Sequence, residues 1–178
     1  MTTIIAVQDH EGVTFVADSQ VTSGGKIYRE NRMVKITERN HYIIAGSGEC
    51  SPCDIAQHIW QPPTPTASDR KDLYHFMIAK VVPSLKKCFK DNDYKIESDD
   101  SDETRFAFLI AIGGQVFEIA DDFSVALDSS GFYGIGSGSP YALGALHAGA
   151  SSENALSIAE KCDAYTSAPF VQIKQAKK

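Results

Sequence analysis

Apolar and polar positions change period along this chain, and the changes mark its elements. Residues 2–8 are β-branched and apolar and predict a strand. Asp9-His-Glu-Gly12 predicts a tight turn, and Gly12 to Asp18 alternates as a return strand rich in Val, Thr and Phe. Ser23-Gly-Gly-Lys26 is a second turn signal. Arg32 to Thr37 and Tyr42 to Gly46 then form a hairpin across Glu38-Arg-Asn-His41.

After residue 50 the spacing becomes helical. Ser51 as N-cap, Pro52 at the first helical position and Asp54 in the first turn start a helix to about Trp60. Gln61-Pro-Pro-Thr-Pro is a linker. Leu73, Phe76, Met77, Val81, Leu85 and Phe89 recur at three and four residues and predict a helix from Asp69 to about Asn92, with Pro83 kinking or splitting it. Asp91 to Glu103 is acidic, Ser-rich and unpatterned, which predicts an exposed loop. Strands return at Arg105–Ile112, Gln115–Ala120, Ser124–Asp128 and Phe132–Gly136, with Gly113-Gly114 as a tight turn. Ser139-Pro140 starts a helix to about Ala148, Ser151 caps one to about Tyr165, and Phe170 to Ile173 reads as a last short strand.

Strands, two helices, strands, two helices and a final strand make segregated runs rather than alternating βαβ units. The expectation is α+β: two antiparallel sheets with a helix pair on each outer face, in one domain over residues 1–178.

Composition narrows the function classes. The net charge of −6 argues against non-specific nucleic-acid binding, which needs clustered Lys and Arg. No apolar run approaches the roughly 18 residues of a membrane span, and the start lacks a basic region followed by an apolar stretch. No membrane partner, no secretory signal and a cytoplasmic setting are therefore expected. Four cysteines are too few for a disulfide framework in a chain this long. Cys50-x-x-Cys53 has no second cysteine pair to complete a zinc site, and reads as two small residues at a helix start. The histidines form no ligand spacing, so no metal and no cofactor are expected. Gly134-Ile-Gly-Ser-Gly-Ser lacks the ending of a phosphate loop and the spacing of a dinucleotide fingerprint. No Ser/His/Asp order and no cysteine-nucleophile motif can be assembled.

One candidate nucleophile remains. If Met1 is removed, Thr2 carries a hydroxyl and a free amine on one residue. An α-amine titrates at about 7.7–8.0, close to working pH, and can take the hydroxyl proton. Thr2 with Val13-Thr-Phe-Val-Ala-Asp18-Ser-Gln, the strands around Lys35, and Gly134-Ile-Gly-Ser137-Gly-Ser-Pro-Tyr resembles the proteasome β-subunit family, most closely its bacterial ring-peptidase branch, HslV.

That resemblance implies the four-layer αββα sandwich of the N-terminal-nucleophile hydrolases. It implies that Thr2 attacks a peptide carbonyl and that Asp18 and Lys35 sit under the nucleophile. Gly46 would supply an oxyanion N–H, and Ser137 and Asp163, followed by Thr166, would complete a hydrogen-bond cluster at the amine. Gln20, Ile44 and Gly48 are the expected substrate-binding positions. Counted from Ala45-Gly46, Lys35 stands one residue late, which implies an insertion or bulge nearby; Lys26 is a weaker match for the same role. Family members form stacked rings fed by an ATP-driven unfoldase, so a homo-oligomeric ring, such an unfoldase and a peptide substrate are the implied partners. The lack of a long leader before Thr2 also points to the bacterial branch. Two alternatives stay open: a silent relative with Met1 retained, serving as an assembly scaffold, and an amidase acting on small amides.

Overall fold

The computed structural model describes residues 2–23, 25–28, 34–95 and 105–177. Met1 and much of the acidic segment before Glu103 lie outside the described residues.

Strands β1 (Ile4–Gln8) and β2 (Gly12–Ala17) pair antiparallel, with Ile5 opposite Val16. β3 (Val21–Ser23) and β4 (Lys26–Tyr28) make a small ribbon. β5 (Ile36–Arg39) and β6 (Tyr42–Gly48) form the second hairpin. Its strands run closer together than the sequence suggested. Asn40 adopts a left-handed backbone (φ 56°), so Asn40-His41 alone turns the chain.

The first helix begins two residues earlier than expected. α1 (Cys50–Asp54) is preceded by Glu49 without a side-chain cap, and runs on as a π-helical turn, Ile55–Ile59. α2 (Leu73–Phe76) is capped by Asp72, whose carboxylate accepts from His75 N. A π turn, Met77–Val81, joins α2 to α3 (Val82–Asp91), which carries Pro83 at its start. Pro83 has no N–H to donate, and the widened turn ahead of it lets the helix continue instead of splitting. β7 (Phe106–Ile112), β8 (Gln115–Ile119), β9 (Val125–Ala126) and β10 (Phe132–Ile135) follow. Gly113 and Gly114 both have positive φ in the two-residue turn between β7 and β8. α4 (Ser139–His147) starts from Gly138, α5 (Ser152–Cys162) from Ser151, whose hydroxyl accepts from Asn154 N, and β11 (Val171–Ala176) closes the chain. α5 ends three residues short of the expected Tyr165.

Two antiparallel sheets result, ordered β10-β1-β2-β11 and β5-β6-β7-β8-β9. Ile4, Ala6 and Phe15 of the first sheet pack with Ile43, Ala45, Leu109 and Ala111 of the second. On its outer face the first sheet sets Ile5 and Val16 against Ala142, Leu156 and Ala159 of α4 and α5. The second sheet sets Ile44, Phe108 and Phe117 against Trp60, Phe76, Leu85 and Phe89 of the helical segments between residues 50 and 91. β6 and β7 are buried on both faces, which explains their unbroken apolar runs. The layers are helix, sheet, sheet, helix, as expected.

A candidate active site at the start of the chain

Both sheets open at one end, where β1 and β5 begin and β2, β6 and β10 finish. Thr2 lies there, just before β1, and is 4% exposed. Asp18 follows β2 directly and is 1% exposed. Antiparallel pairing of β1 with β2 brings these positions together although 16 residues separate them.

Asp18 gathers the site. Its Oδ1 accepts from Thr2 Oγ1 (3.0 Å), Thr3 N (2.8 Å) and Lys35 Nζ (2.6 Å). Its Oδ2 accepts from Gln20 N (2.9 Å) and Ser167 N (3.4 Å). A buried carboxylate is stable only when its lone pairs are occupied, and five donors occupy these. Lys35, immediately before β5, also donates to the Gln20 carbonyl at 2.6 Å. Burial holds the Lys35 ammonium below its ordinary range, and the charge of Asp18 works against that fall. Lys26 lies exposed on β4.

A second cluster sits beside the first. Asp163, the residue after α5, accepts at Oδ2 from Ser137 Oγ (3.0 Å) and Thr166 Oγ1 (2.6 Å). Thr166 meets the Thr3 hydroxyl at 2.5 Å, and Ser137 Oγ reaches the Thr2 carbonyl at 3.5 Å. The glycine-rich turn makes room for this. A Cβ on Gly136 would lie 2.1 Å from the Thr2 carbonyl oxygen, and one on Gly138 would lie 2.1 Å from Thr3 Oγ1.

Gly46, near the end of β6, faces an open cleft of about 520 Å³, solvent at its mouth included, that Thr2, Lys35, Gly48, Cys50 and Gln57 also line. The Gly46 N–H donates to the Lys35 carbonyl at 3.3 Å, the long end of the hydrogen-bond range. Gly46 must be glycine here, because a Cβ would meet Cys53 Sγ at 2.8 Å and Phe108 at 2.9 Å.

Two expected substrate-binding positions lie elsewhere. Ile44 is fully buried in the helix-side core, two residues deeper in β6 than Gly46, and does not line the cleft. The Gln20 amide turns to Thr22 Oγ1 (3.3 Å) and the Ala164 carbonyl (3.2 Å); its backbone oxygen serves the site instead, by holding Lys35. Sequence reasoning missed Thr3, Ser167 and Gln57. The Thr2-Thr3 repeat was a signal for Thr3; nothing local marks the other two. All four cysteines are free thiols, and burial pushes the Cys53 thiol up to about 12. Among the described residues no group of three or more His, Cys, Asp or Glu side chains is placed to hold a metal ion. No described helix is long and apolar enough to cross a membrane.

No family profile matches the chain, and no curated protein sequence matches it. Solved structures do. Thiobacillus denitrificans BPH in complex with epoxomicin is similar over 99% of both chains, at a TM-score of 0.76 and 21% identity. Thiobacillus denitrificans BPH in a second structure covers 99% of this chain and 98% of that one, with a TM-score of 0.69 and 22% identity. Eukaryotic HslV from Trypanosoma brucei covers 97% and 98%, with a TM-score of 0.66 and 18% identity. The fold is that of BPH and HslV, an αββα sandwich.

Proposed function

We propose that this chain is a threonine-type peptidase subunit whose nucleophile is Thr2 Oγ1. The observation that carries the reading is the meeting of the Thr2 hydroxyl and the Lys35 ammonium on one oxygen of Asp18, beside an open cleft.

The reaction requires a chain that begins at Thr2. Its free α-amine takes the Oγ1 proton, directly or through a water, and Oγ1 leaves Asp18 to attack the peptide carbonyl. The neighbouring Lys35 charge favours the developing alkoxide, and Asp18 holds that charge in place. Gly46 N–H turns from the Lys35 carbonyl to the oxyanion. The scissile C–N bond then breaks, the departing amine receives the proton, and Thr2 keeps the acyl group as an ester. Water, deprotonated by the same amine, releases the acid and restores the hydroxyl. Ser137 and Asp163 steady the residue that carries the amine, and Gly48 flanks the bound chain. No step calls for a metal or an organic cofactor.

HslV and BPH, the proteins the fold resembles, also support a homo-oligomeric cytoplasmic ring enclosing the sites, served by an ATP-dependent unfoldase. Because BPH has been captured with epoxomicin, that compound is a fitting competitor to try at the Thr2 cleft.

The deciding experiment joins intact mass and N-terminal sequencing to a fluorogenic-peptide assay. A chain starting at Thr2 that hydrolyses peptides, with activity abolished in T2A, supports the peptidase. A chain that keeps Met1 and is inert overturns it and leaves the scaffold. Hydrolysis of small amides but not of peptides leaves the amidase.

A further inference from the structure

Gln57 is a polar side chain only 2% exposed, in the π turn after α1. Its Nε2 donates to the Lys35 carbonyl at 2.8 Å, 22 residues away in sequence, and the Gln57 backbone carbonyl accepts from Arg39 Nη1 at 3.2 Å. The Lys35 carbonyl therefore holds two donors, a short bond from Gln57 and the long bond from Gly46 N–H. π turns break the helical register and often mark functional positions. Here the turn brings an amide over the backbone that carries the cation.

We propose that Gln57 is a positioning residue for the Thr2 reaction: it anchors the strand end bearing Lys35 and satisfies the Lys35 carbonyl, so that Gly46 N–H is free to move to the oxyanion. This rests on the peptidase reading above. A carbonyl oxygen has two lone pairs, and one buried bond suffices to keep it from being orphaned. With Gln57 in place, the departure of Gly46 N–H leaves that oxygen bonded. Without Gln57 the same departure strands it, and Gly46 is held back. The contribution of Gln57 thus appears when the oxyanion forms, in kcat rather than KM.

The test uses the full chain with a free Thr2 amine and the substitution Q57M, which keeps volume and removes the donor. Peptide kcat falls about tenfold, the scale of one stranded buried acceptor, while KM stays within about twofold. The second readout is independent of turnover: the Lys35 side-chain carbon resonance, followed against pH, shifts its midpoint toward the ordinary lysine value as the strand end loosens. Should Q57M fail to fold, Q57N, whose amide falls one methylene short, carries the same measurements. Unchanged kcat together with an unchanged Lys35 midpoint overturns the proposal, as does a loss confined to KM. If the parent chain itself is inert, the peptidase reading is what fails, and the Lys35 midpoint alone then decides whether Gln57 positions it.

Discussion

The Lys35 ammonium lies 2.6 Å from Asp18 Oδ1, with side chains only 11% and 0% exposed. Breaking a buried pair from one side leaves the other charge uncompensated, at about 3–5 kcal/mol. Asp18→Ala removes the acceptor of five donors, so it lowers unfolding free energy by that order and, on the proposed peptidase reading, abolishes peptide hydrolysis. Lys35→Met leaves Asp18 its N–H donors, so it destabilises less while lowering kcat by at least about 10²-fold. Urea melts and peptide kinetics on both variants check this. Equal destabilisation by both would show that the N–H donors contribute nothing to holding the carboxylate.

The lowered Lys35 pKa gives a pH signature. Its folded value lies below the 10.5 of an ordinary lysine, and burial is the main cause. Between the two values the unfolded chain binds more protons than the folded one, so the Lys35 contribution to stability increases with pH across that window. Tyr94 and Tyr133, whose values burial raises, oppose the trend at the alkaline end. Comparison with Lys35→Met cancels them. The stability of the parent relative to the variant rises through the window in melts taken at successive pH values; a flat difference contradicts this assignment.

Two glycines respond in opposite directions to alanine. Gly138→Ala forces a methyl to within 2.1 Å of Thr3 Oγ1 and 2.6 Å of Thr166 Oγ1, which disrupts the Asp163 cluster and lowers both stability and activity. Gly144 is exposed in α4 with open space around its Cβ position. Gly144→Ala gains helix propensity, about 0.5–1 kcal/mol, with activity unchanged. Thermal melts of the two variants should move apart.

Thiol reactivity separates the cysteines. Cys50 and Cys162 are exposed, whereas Cys53 is buried with its pKa pushed up to about 12. Because the thiolate is the reacting form, iodoacetamide alkylates Cys50 and Cys162 first and Cys53 last. Peptide mapping of a labelling time course reads the order. Alkylated Cys50 lies in the Thr2 cleft, so on the proposed peptidase reading loss of activity follows its labelling and is absent in Cys50→Ser.

Much of the architecture was legible because local rules agree with the tertiary environment. A β-branched apolar run placed β1, alternation placed β2, paired glycines placed the β7–β8 turn, and three–four spacing placed the helix ending at Asp91. Where prediction slipped, a competing local solution won. Asn40 accepts a left-handed conformation and shortened a four-residue turn to two. The π turn Met77–Val81 absorbed Pro83 without a break. Ile44, expected at the substrate site, serves the core, because residues of one strand face share a direction but not a depth.

From the sequence alone came the layer order and the chemistry on offer: a threonine at the start, an acid closing the second strand, a lysine in the second hairpin, glycines where backbones meet. Tertiary structure decided which atoms meet. It put the Thr2 hydroxyl and the Lys35 ammonium on one Asp18 oxygen, joined Thr3 to Thr166, and brought Gln57 to the Lys35 carbonyl. Those contacts join residues 16 to 163 positions apart. Periodicity records which face a side chain presents to the core, and a hydrogen bond made across layers leaves no period to read.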